Sequence, residues 1–371
     1  MDISRRSIFG LAAATTAAAA LAPRATAATT TELPRFGALP GQARLMFNEN
    51  PYGPSPAAIA AMAETASKGC YYVDDIEPAL TKMIARRYGV TPEHVVLGNG
   101  SSEVLAAIVM AWGQKGHVLA PDLMFDFALK QGQPLGVKAV RVPLAADMGI
   151  DLAALHQATV KDTALVHICN PNNPTGMLID PVALRDFIKS SPKGTTVLVD
   201  EAYNELTDKP DFNSMIDMVR AGHDVIITRT FSKIHGMAGL RVGYAITTPE
   251  NARRIRENLL TIGVNSAALA AALATFDDTE FLTFSRGKVL EGRVMLQKAV
   301  KTAGLTALPS QANFLFVKVP DANALFKAME ARGIIIRGAY GKDWPQWSRV
   351  STGKIEDVKR YAEALPELAR A

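Results

Sequence analysis

Lys233 is the residue of this sequence that could carry covalent chemistry most directly. It follows the apolar run 225–228, and Thr230 and Ser232 stand just before it. Burial and nearby cations lower the pKa of a lysine, and the neutral amine can then form a Schiff base with an aldehyde. Taken alone, Lys233 is more simply explained as a solvated surface lysine.

Asp200 follows a second apolar run, 195–199, and Tyr203 comes three residues later. A carboxylate at the end of a buried strand is costly unless it meets a cation. The protonated nitrogen of a pyridine ring is such a cation, and Tyr203 could reach a hydroxyl group on the same ring. A helix N-cap also explains Asp200 when the motif is taken alone.

A glycine-containing turn that includes Gly100, Ser101 and Ser102 joins the apolar run 95–97 to a predicted helix. Free N–H groups at a helix N-terminus favour an anion such as phosphate, although an ordinary turn with a serine cap explains the segment equally well. It is neither a dinucleotide fingerprint nor a P-loop. The guanidinium of Arg241, eight residues after Lys233, is suited to the same phosphate.

A rigid polar loop, residues 170–176 (Asn-Pro-Asn-Asn-Pro-Thr-Gly), follows the apolar run 164–169. The asparagine side chains in it, Asn173 among them, could donate hydrogen bonds to a ligand oxygen. Turn chemistry is the simpler explanation of this loop alone.

Helical segments separate these apolar runs, which is typical of a mainly parallel sheet covered by helices on both faces. Ligands of such sheets bind beyond the carboxyl ends of the strands, where all four segments lie. Long helical stretches and the strand-like runs 314–317, 334–336 and 349–351 follow residue 250. A chain of 371 residues therefore suits two domains: an α/β fold with a large domain, and a smaller α+β domain.

Together, these segments make the sequence resemble the fold-type-I pyridoxal-phosphate aminotransferases of class I and II, and most of all their histidinol-phosphate aminotransferase branch. The resemblance runs from about Asn48 to the C-terminus. It rests on residues 48–53 (Asn-Glu-Asn-Pro-Tyr-Gly), residues 170–176, residues 200–203 (Asp-Glu-Ala-Tyr), Ser232-Lys233 with Arg241, and residues 349–353 (Arg-Val-Ser-Thr-Gly).

The resemblance implies pyridoxal 5'-phosphate (PLP) as the cofactor. Lys233 would hold it as a Schiff base and then move the proton, while Asp200 would pair with the pyridine nitrogen. Asn173 and Tyr203 would hold the ring hydroxyl oxygen. The phosphate would be bound by Gly100, Ser101, Ser102, Thr230, Ser232 and Arg241.

The resemblance also implies substrate contacts. Arg349 would bind the substrate carboxylate in bidentate fashion, and Arg337 matches an arginine that can contact a substrate phosphate. Asn50 is a further predicted substrate residue. Tyr52 matches a tyrosine that reaches the cofactor phosphate of the neighbouring subunit, so that a homodimer with shared active sites is expected.

Two segments depart from the family pattern. Family members usually carry an aromatic residue that stacks on the cofactor ring where this chain has Leu123. Phe125 or Phe127 could replace it, or no aromatic residue stacks there. Residues 70–73 (Cys-Tyr-Tyr-Val) replace the usual Asn-Arg-Tyr-Pro.

Three functions are compatible with this pattern. The first is a transaminase that passes the amino group of an amino acid or an amino-alcohol phosphate to a 2-oxo acid. The second is a PLP-dependent decarboxylase of a phosphorylated amino acid, because fold does not fix the reaction. The third is a non-catalytic PLP-binding protein. Only the transaminase would pass an amino group to a 2-oxo acid.

The N-terminus predicts export. Arg5 and Arg6 precede an uncharged alanine-rich stretch, and residues 25–27 (Ala-Thr-Ala) have the form of a cleavage site. The paired arginines resemble a twin-arginine signal, so we expect a periplasmic protein without a membrane anchor after cleavage. The domain prediction is residues 1–27 signal peptide, 28–54 N-terminal arm, 55–255 large PLP-binding domain and 256–371 small domain.

The charge and the spacing of histidines and cysteines argue against a nucleic-acid-binding protein and against a metal site. The formal net charge is only +4, and no basic stripe with interleaved aromatics indicates a nucleic-acid partner. Histidines and cysteines show no metal-ligand spacing. An oxidising compartment would permit a disulfide between Cys70 and Cys169, while the apolar run that Cys169 ends favours a buried thiol.

Overall fold

The computed structural model describes residues 37–73, 75–259 and 263–369. The predicted signal, residues 1–27, lies outside the described residues. The described residues from Gly41 onward belong to one compact unit. None of the helices described in these ranges is long and apolar enough to span a membrane.

Strands and helices alternate along the described residues. The strands are β1 (Ala43–Arg44), β2 (Val95–Gly98), β3 (His117–Pro121), β4 (Ala139–Val142), β5 (Thr163–Cys169), β6 (Thr196–Asp200), β7 (Val225–Thr230), β8 (Gly243–Thr247), β9 (Thr306–Ala307), β10 (Phe314–Lys318), β11 (Ile334–Ile335) and β12 (Trp347–Ser351). The helices are α1 (Pro56–Ala66), α2 (Ile76–Tyr88), α3 (Gly100–Gly113), α4 (Phe127–Gly132), α5 (Leu152–Ala158), α6 (Pro181–Ser190), α7 (Pro210–Asn213), α8 (Ile216–Arg220), α9 (Pro249–Arg256), α10 (Ser266–Phe276), α11 (Thr279–Thr302), α12 (Ala322–Glu330) and α13 (Ile355–Leu368).

The large sheet has the strand order β2-β8-β7-β6-β5-β3-β4. Strand β8 runs antiparallel to both of its neighbours, and the other pairings in this sheet are parallel. The predicted mainly parallel α/β fold is therefore confirmed. The register sets Cys169 opposite Asp200 and Asp200 opposite Thr228, so the carboxyl ends of β5, β6 and β7 meet at one edge.

Helices cover both faces of this sheet. Val197 and Val199 belong to one apolar cluster, while Leu198 between them belongs to another on the opposite face. Side chains alternate along a strand, so a strand buried on both faces reads as a continuous apolar run. This burial explains why the sequence reveals the strands so clearly.

A smaller sheet lies in the C-terminal part of the chain. It is antiparallel, with the order β12-β10-β9, and its apolar cluster includes Leu315, Val350 and Tyr361 of α13. Strand β1 pairs in parallel with β11, and Leu45 is buried in the same cluster. Part of the predicted N-terminal arm thus packs with the C-terminal elements.

Helix α10, which the sequence patterns did not reveal, packs with the core of the large sheet through Leu269 and Phe276. It contains six alanines and has little amphipathic pattern, so its sequence carries no clear helical period. The predicted domain boundary at residues 255–256 stays a prediction.

Candidate active site

A cavity of about 700 Å³ opens beyond the carboxyl ends of β5, β6 and β7. It lies where the sequence placed the ligand. The predicted site residues that line it are Ser101, Ser102, Asn173, Asp200, Tyr203, Thr230, Ser232, Lys233, Arg241, Arg337 and Arg349.

Lys233 follows β7 and directs its amine into this cavity, where Nζ donates a hydrogen bond of 3.0 Å to the main-chain oxygen of Asn48. Desolvation, and next the Arg349 cation, lower the pKa of Lys233 to about 8. A substantial fraction of the amine is therefore neutral near physiological pH, as a reaction with an aldehyde requires.

Asp200, the last residue of β6, is only 2% exposed. Its Oδ1 accepts a hydrogen bond of 2.9 Å from Oγ1 of Thr228, and Sγ of Cys169 lies 3.9 Å from Oδ2. Burial raises the pKa of Asp200 to about 6, although the Thr228 hydrogen bond opposes this shift. A cation in the cavity would favour the ionised carboxylate.

The strand ends that carry Asp200 and Lys233 are joined by a buried ion pair. Arg229 on β7 donates to Glu201 through Nη2 at 2.6 Å and Nε at 3.0 Å, and Nη1 donates to Glu205 at 2.8 Å. Breaking such a pair leaves a buried charge uncompensated and is strongly destabilising. The pair therefore fixes β6 against β7 next to the site.

The phenol of Tyr203 receives two amide donors. Nδ2 of Asn48 lies 3.0 Å from its oxygen, and Nδ2 of Asn173 lies 3.4 Å from it. The ring packs edge-to-face on Phe314, with the centroids 5.2 Å apart. Burial raises the pKa of Tyr203 above its ordinary value, so the phenol keeps its proton.

Hydroxyl groups, a helix N-terminus and a guanidinium converge at the predicted phosphate site. Oγ1 of Thr230 donates to Oγ of Ser232 at 2.9 Å. Gly100, the first residue of α3, has a φ of +74°, and a Cβ atom there would lie 2.2 Å from Nη2 of Arg241. Only glycine lets the start of α3 approach Arg241 this closely.

Arg349, on β12 of the smaller sheet, reaches the cavity beside Lys233. Its Nη1 donates to Oδ1 of Asn173, and its Nη2 donates to the main-chain oxygen of Met46 at 2.7 Å. Its Nε is buried and has no hydrogen-bond partner within the described residues. An unpaired buried donor is costly, so an anionic ligand would stabilise this side chain.

Arg337 lies next to Arg349, because the main chains of the two residues exchange hydrogen bonds of 2.9 and 3.1 Å. Its guanidinium lies 5.6 Å from the centre of the Tyr340 ring, and both side chains line the cavity. Two neighbouring guanidinium groups therefore give this side of the cavity a positive charge.

Asn50 and Tyr52 are not among the residues that line the cavity. Nδ2 of Asn50 donates to the main-chain oxygens of Lys233 and Ile234, both at 3.0 Å, so its amide supports the lysine loop. The hydroxyl of Tyr52 accepts a hydrogen bond of 2.9 Å from the N–H of Ile355. Direct substrate contact by Asn50 stays a prediction.

Leu123 lines the cavity at the position where a stacking aromatic residue was expected from the family pattern, and it is 7% exposed. Phe125 and Phe127 also line the cavity. Their rings stack on each other, with the centroids 6.4 Å apart, and Phe127 is 46% exposed.

Sequence reasoning missed Asn48 and Thr228, which contact the predicted residues Tyr203 and Asp200. It also missed Ser351, which contacts Asn48. Asn48 stands in a motif that was noted only for its neighbours, and Thr228 is a hydroxyl residue on a buried strand, which is a weak signal. Nothing in the sequence connects Ser351 with Asn48.

Cys70 and Cys169 do not form a disulfide. Cys169 is buried and Cys70 is exposed, and both are free thiols. Within the described ranges no group of histidine, cysteine or acidic side chains could hold a metal ion.

Comparisons with known proteins agree with this geometry. Residues 40–365 match the family model "Aminotransferase class I and II". The histidinol-phosphate aminotransferase of Moorella thermoacetica is 34% identical over 328 residues, which are 88% of this chain and 85% of that protein.

Two solved structures are also similar. A provisionally named histidinol-phosphate aminotransferase from Erwinia carotovora has a TM-score of 0.86 and 30% identity, and the match covers 91% of this chain and 99% of that one. The histidinol-phosphate aminotransferase of Sinorhizobium meliloti, in complex with PLP, has a TM-score of 0.80 and 29% identity, covering 88% and 90%.

Proposed function

The chain belongs to the class I and II aminotransferases and is a PLP-dependent transaminase, and we propose that its amino donor carries an anionic group, as an amino acid or an amino-alcohol phosphate does. The acceptor in this proposal is a 2-oxo acid. The observation that carries it is the pair of neighbouring guanidinium groups, Arg349 and Arg337, on one side of the cavity.

The residues present fit the cofactor. The start of α3, Ser232 and Arg241 provide donors for a phosphate, and the approach of Gly100 to Arg241 leaves no room for a side chain. The buried Asp200 carboxylate suits the pyridinium nitrogen, which would supply the cation that its burial requires. Bound PLP supplies an aldehyde and a ring that withdraws electrons from the substrate carbon.

Four side chains would have distinct roles in the reaction. Lys233 would hold the aldehyde carbon and, once released, move the proton between the substrate and the cofactor. Its lowered pKa makes the amine an effective base near neutral pH. Asp200 would keep the ring nitrogen protonated. Tyr203 and Asn173 would hold the ring oxygen.

Arg349 would bind the anionic end of the substrate. Guanidinium groups bind carboxylates and phosphates through two parallel hydrogen bonds, and the unpartnered Nε of Arg349 supplies one such donor. A donor such as histidinol phosphate has no carboxylate, so Arg349 or Arg337 would then bind its phosphate. The names of the relatives make this donor a natural member of the test panel.

The test is a single-turnover experiment with the purified holoenzyme. Histidinol phosphate, histidinol and histidine are offered one at a time, and loss of the visible absorbance of the cofactor is followed. Histidinol is the matched control, since it has the same amine and ring but no anionic group. We expect the phosphate or the amino acid to react at least about 100-fold faster than histidinol. Equal rates for all three would contradict the proposal.

A homodimer with shared active sites is the second part of the proposal. It is supported by the position of Tyr52, which does not line the cavity of its own chain, and by the family resemblance. Light scattering should give twice the mass of one chain. Mixing the Tyr52→Phe variant with an excess of the Lys233→Ala variant should produce hybrid dimers. In each hybrid, one site combines an intact Lys233 with an intact Tyr52, so the PLP affinity of that site should be restored. A monomer, or no recovery, would contradict this part.

Export through a twin-arginine signal is the third part, and it rests on the sequence of residues 1–27 alone. A reporter fused behind residues 1–27 should appear in the periplasm. Replacing Arg5 and Arg6 together by lysine should retain it in the cytoplasm. A reporter that stays in the cytoplasm with the natural signal would contradict the proposed localisation.

A further inference from the structure

Asn48 uses all of its polar groups inside the active site. Its N–H donates to Oγ of Ser351 at 2.9 Å, and its Nδ2 donates to the Tyr203 oxygen at 3.0 Å. Its main-chain oxygen accepts from Lys233 at 3.0 Å and from Nδ2 of Asn313 at 3.1 Å. Asn48 is 2% exposed and lines the cavity, so it contacts two predicted catalytic residues at once.

The backbone at Asn48 is held in an unusual conformation. Its φ is +55°, and within the described residues it shares a positive φ with only two other non-glycine residues, Met148 and Arg241. Asparagine adopts this left-handed region more readily than other side chains. Strained backbone of this kind persists where surrounding contacts determine it, and it clusters at functional sites.

Ser351 bonds to both the main chain and the side chain of Asn48. The Ser351 hydroxyl accepts the N–H of Asn48 and donates its own proton to Oδ1 of Asn48 at 2.8 Å. With Oδ1 bonded to Ser351, the amide nitrogen faces Tyr203. Every polar atom of the Asn48 side chain then has a partner.

The contacts of the Tyr203 hydroxyl leave its proton unused. A phenol has one proton to donate and two lone pairs that accept. Asn48 and Asn173 both donate to the Tyr203 oxygen, and their NH2 groups cannot accept its proton. The proton is left free for an acceptor in the cavity.

We propose that Asn48 is a positioning residue that makes Tyr203 donate its proton into the cavity, to the ring oxygen of bound PLP. The inference rests on the proposed role of Tyr203. A proton donated by Tyr203 stabilises negative charge on the ring oxygen. Without this hydrogen bond, the proton that the ring oxygen of PLP shares with the Lys233 nitrogen is harder to remove. The pH midpoint of the visible absorbance then rises.

The decisive variant is Asn48→Asp, which keeps the size of the side chain but removes its donor. The Tyr203 hydroxyl then donates to the new carboxylate instead of to the cofactor. We expect the pH midpoint of the holoenzyme's visible absorbance to rise by about 1–2 pH units, the value of one hydrogen bond to a charged group. Asn48→Gly, which suits the positive φ, removes the donor without adding an acceptor. It frees the Tyr203 hydroxyl to rotate away from the cofactor, so the midpoint should rise by less than in Asn48→Asp, and this variant keeps the test available if Asn48→Asp does not fold.

A double-variant cycle with Tyr203→Phe separates this effect from that of the added charge. If Asn48 acts through Tyr203, the shift caused by Asn48→Asp should largely disappear in the Tyr203→Phe background. An equal shift in both backgrounds, or none in either, would overturn the inference. If Tyr203→Phe alone leaves the midpoint unchanged, the proposed role of Tyr203 fails as well.

Discussion

The hydroxyl of Thr228 donates a hydrogen bond of 2.9 Å to Oδ1 of Asp200 across neighbouring strands of the large sheet. Both residues are buried, so water does not compete for this bond. It fixes the orientation of the carboxylate at the edge of the sheet, with Cys169 close to the other oxygen. The carboxylate is therefore set in place before a ligand arrives.

Replacing Asp200 by alanine should leave the fold intact but remove the partner of the ring nitrogen. We expect the turnover number to fall about 100-fold or more, which is typical for the loss of a preorganised electrostatic contact. Thr228→Val keeps the carboxylate and removes only its orienting bond, so its effect should be smaller. Steady-state kinetics would check both values, and near-normal turnover of Asp200→Ala would refute the role of Asp200.

The close approach of Gly100 to Arg241 predicts a selective loss of cofactor binding. Gly100→Ala should lower the free energy of unfolding by about 1 kcal/mol through its positive φ and also displace Arg241, so that PLP binds more weakly. Gly304→Ala is the matched control, because Gly304 has a φ of +72° but open space around it. Its stability loss should be similar and its PLP affinity unchanged. Equal PLP affinities in the Gly100→Ala and Gly304→Ala variants would contradict the assignment of the phosphate site.

The lowered pKa of Lys233 predicts how fast the apoprotein captures PLP at each pH. Only the neutral amine reacts, so the rate should rise with pH to a midpoint near 8, below the ordinary lysine value of 10.5. Arg349→Leu removes a cation that lowers this pKa and should move the midpoint upward. Arg332→Leu, on the exposed surface, should not. A midpoint near 10.5 in the natural protein would contradict the desolvated site.

Leu123 is predicted to cover the cofactor in place of an aromatic residue. Leu123→Phe should then tighten PLP binding about 2- to 10-fold, since an aromatic contact contributes about 0.5–1.5 kcal/mol beyond its buried area. Phe127→Leu, at the exposed rim, should leave the affinity unchanged. Fluorescence titration of the apoprotein measures both. Weaker binding by Phe127→Leu would instead identify Phe127 as the stacking residue.

Most of the residues that line the cavity could be predicted from the sequence because the functional side chains come directly after predicted strands. Asp200 and Lys233 come directly after apolar runs, and the carboxyl ends of parallel strands meet at one edge. Local order along the chain was therefore enough to bring these residues together.

The contacts of Asn48 could not be predicted in this way. Its hydrogen bonds to Tyr203 and Ser351 join residues 155 and 303 positions apart, and they depend on how β1 and β12 pack. Helix α10 was missed for a different reason. An alanine-rich helix buried on most sides lacks the separate apolar and polar faces by which a helix is recognised in a sequence.

The most direct test of the central role of Lys233 is the absorbance of the purified protein with PLP, for the natural sequence and for Lys233→Ala. We expect a visible band in the natural protein that an amino donor removes and a 2-oxo acid restores, because the amino group is stored on the cofactor between the two half-reactions. Lys233→Ala should not complete this cycle. A natural protein that forms no visible band with PLP, or a Lys233→Ala variant that cycles normally, would contradict the central role of Lys233.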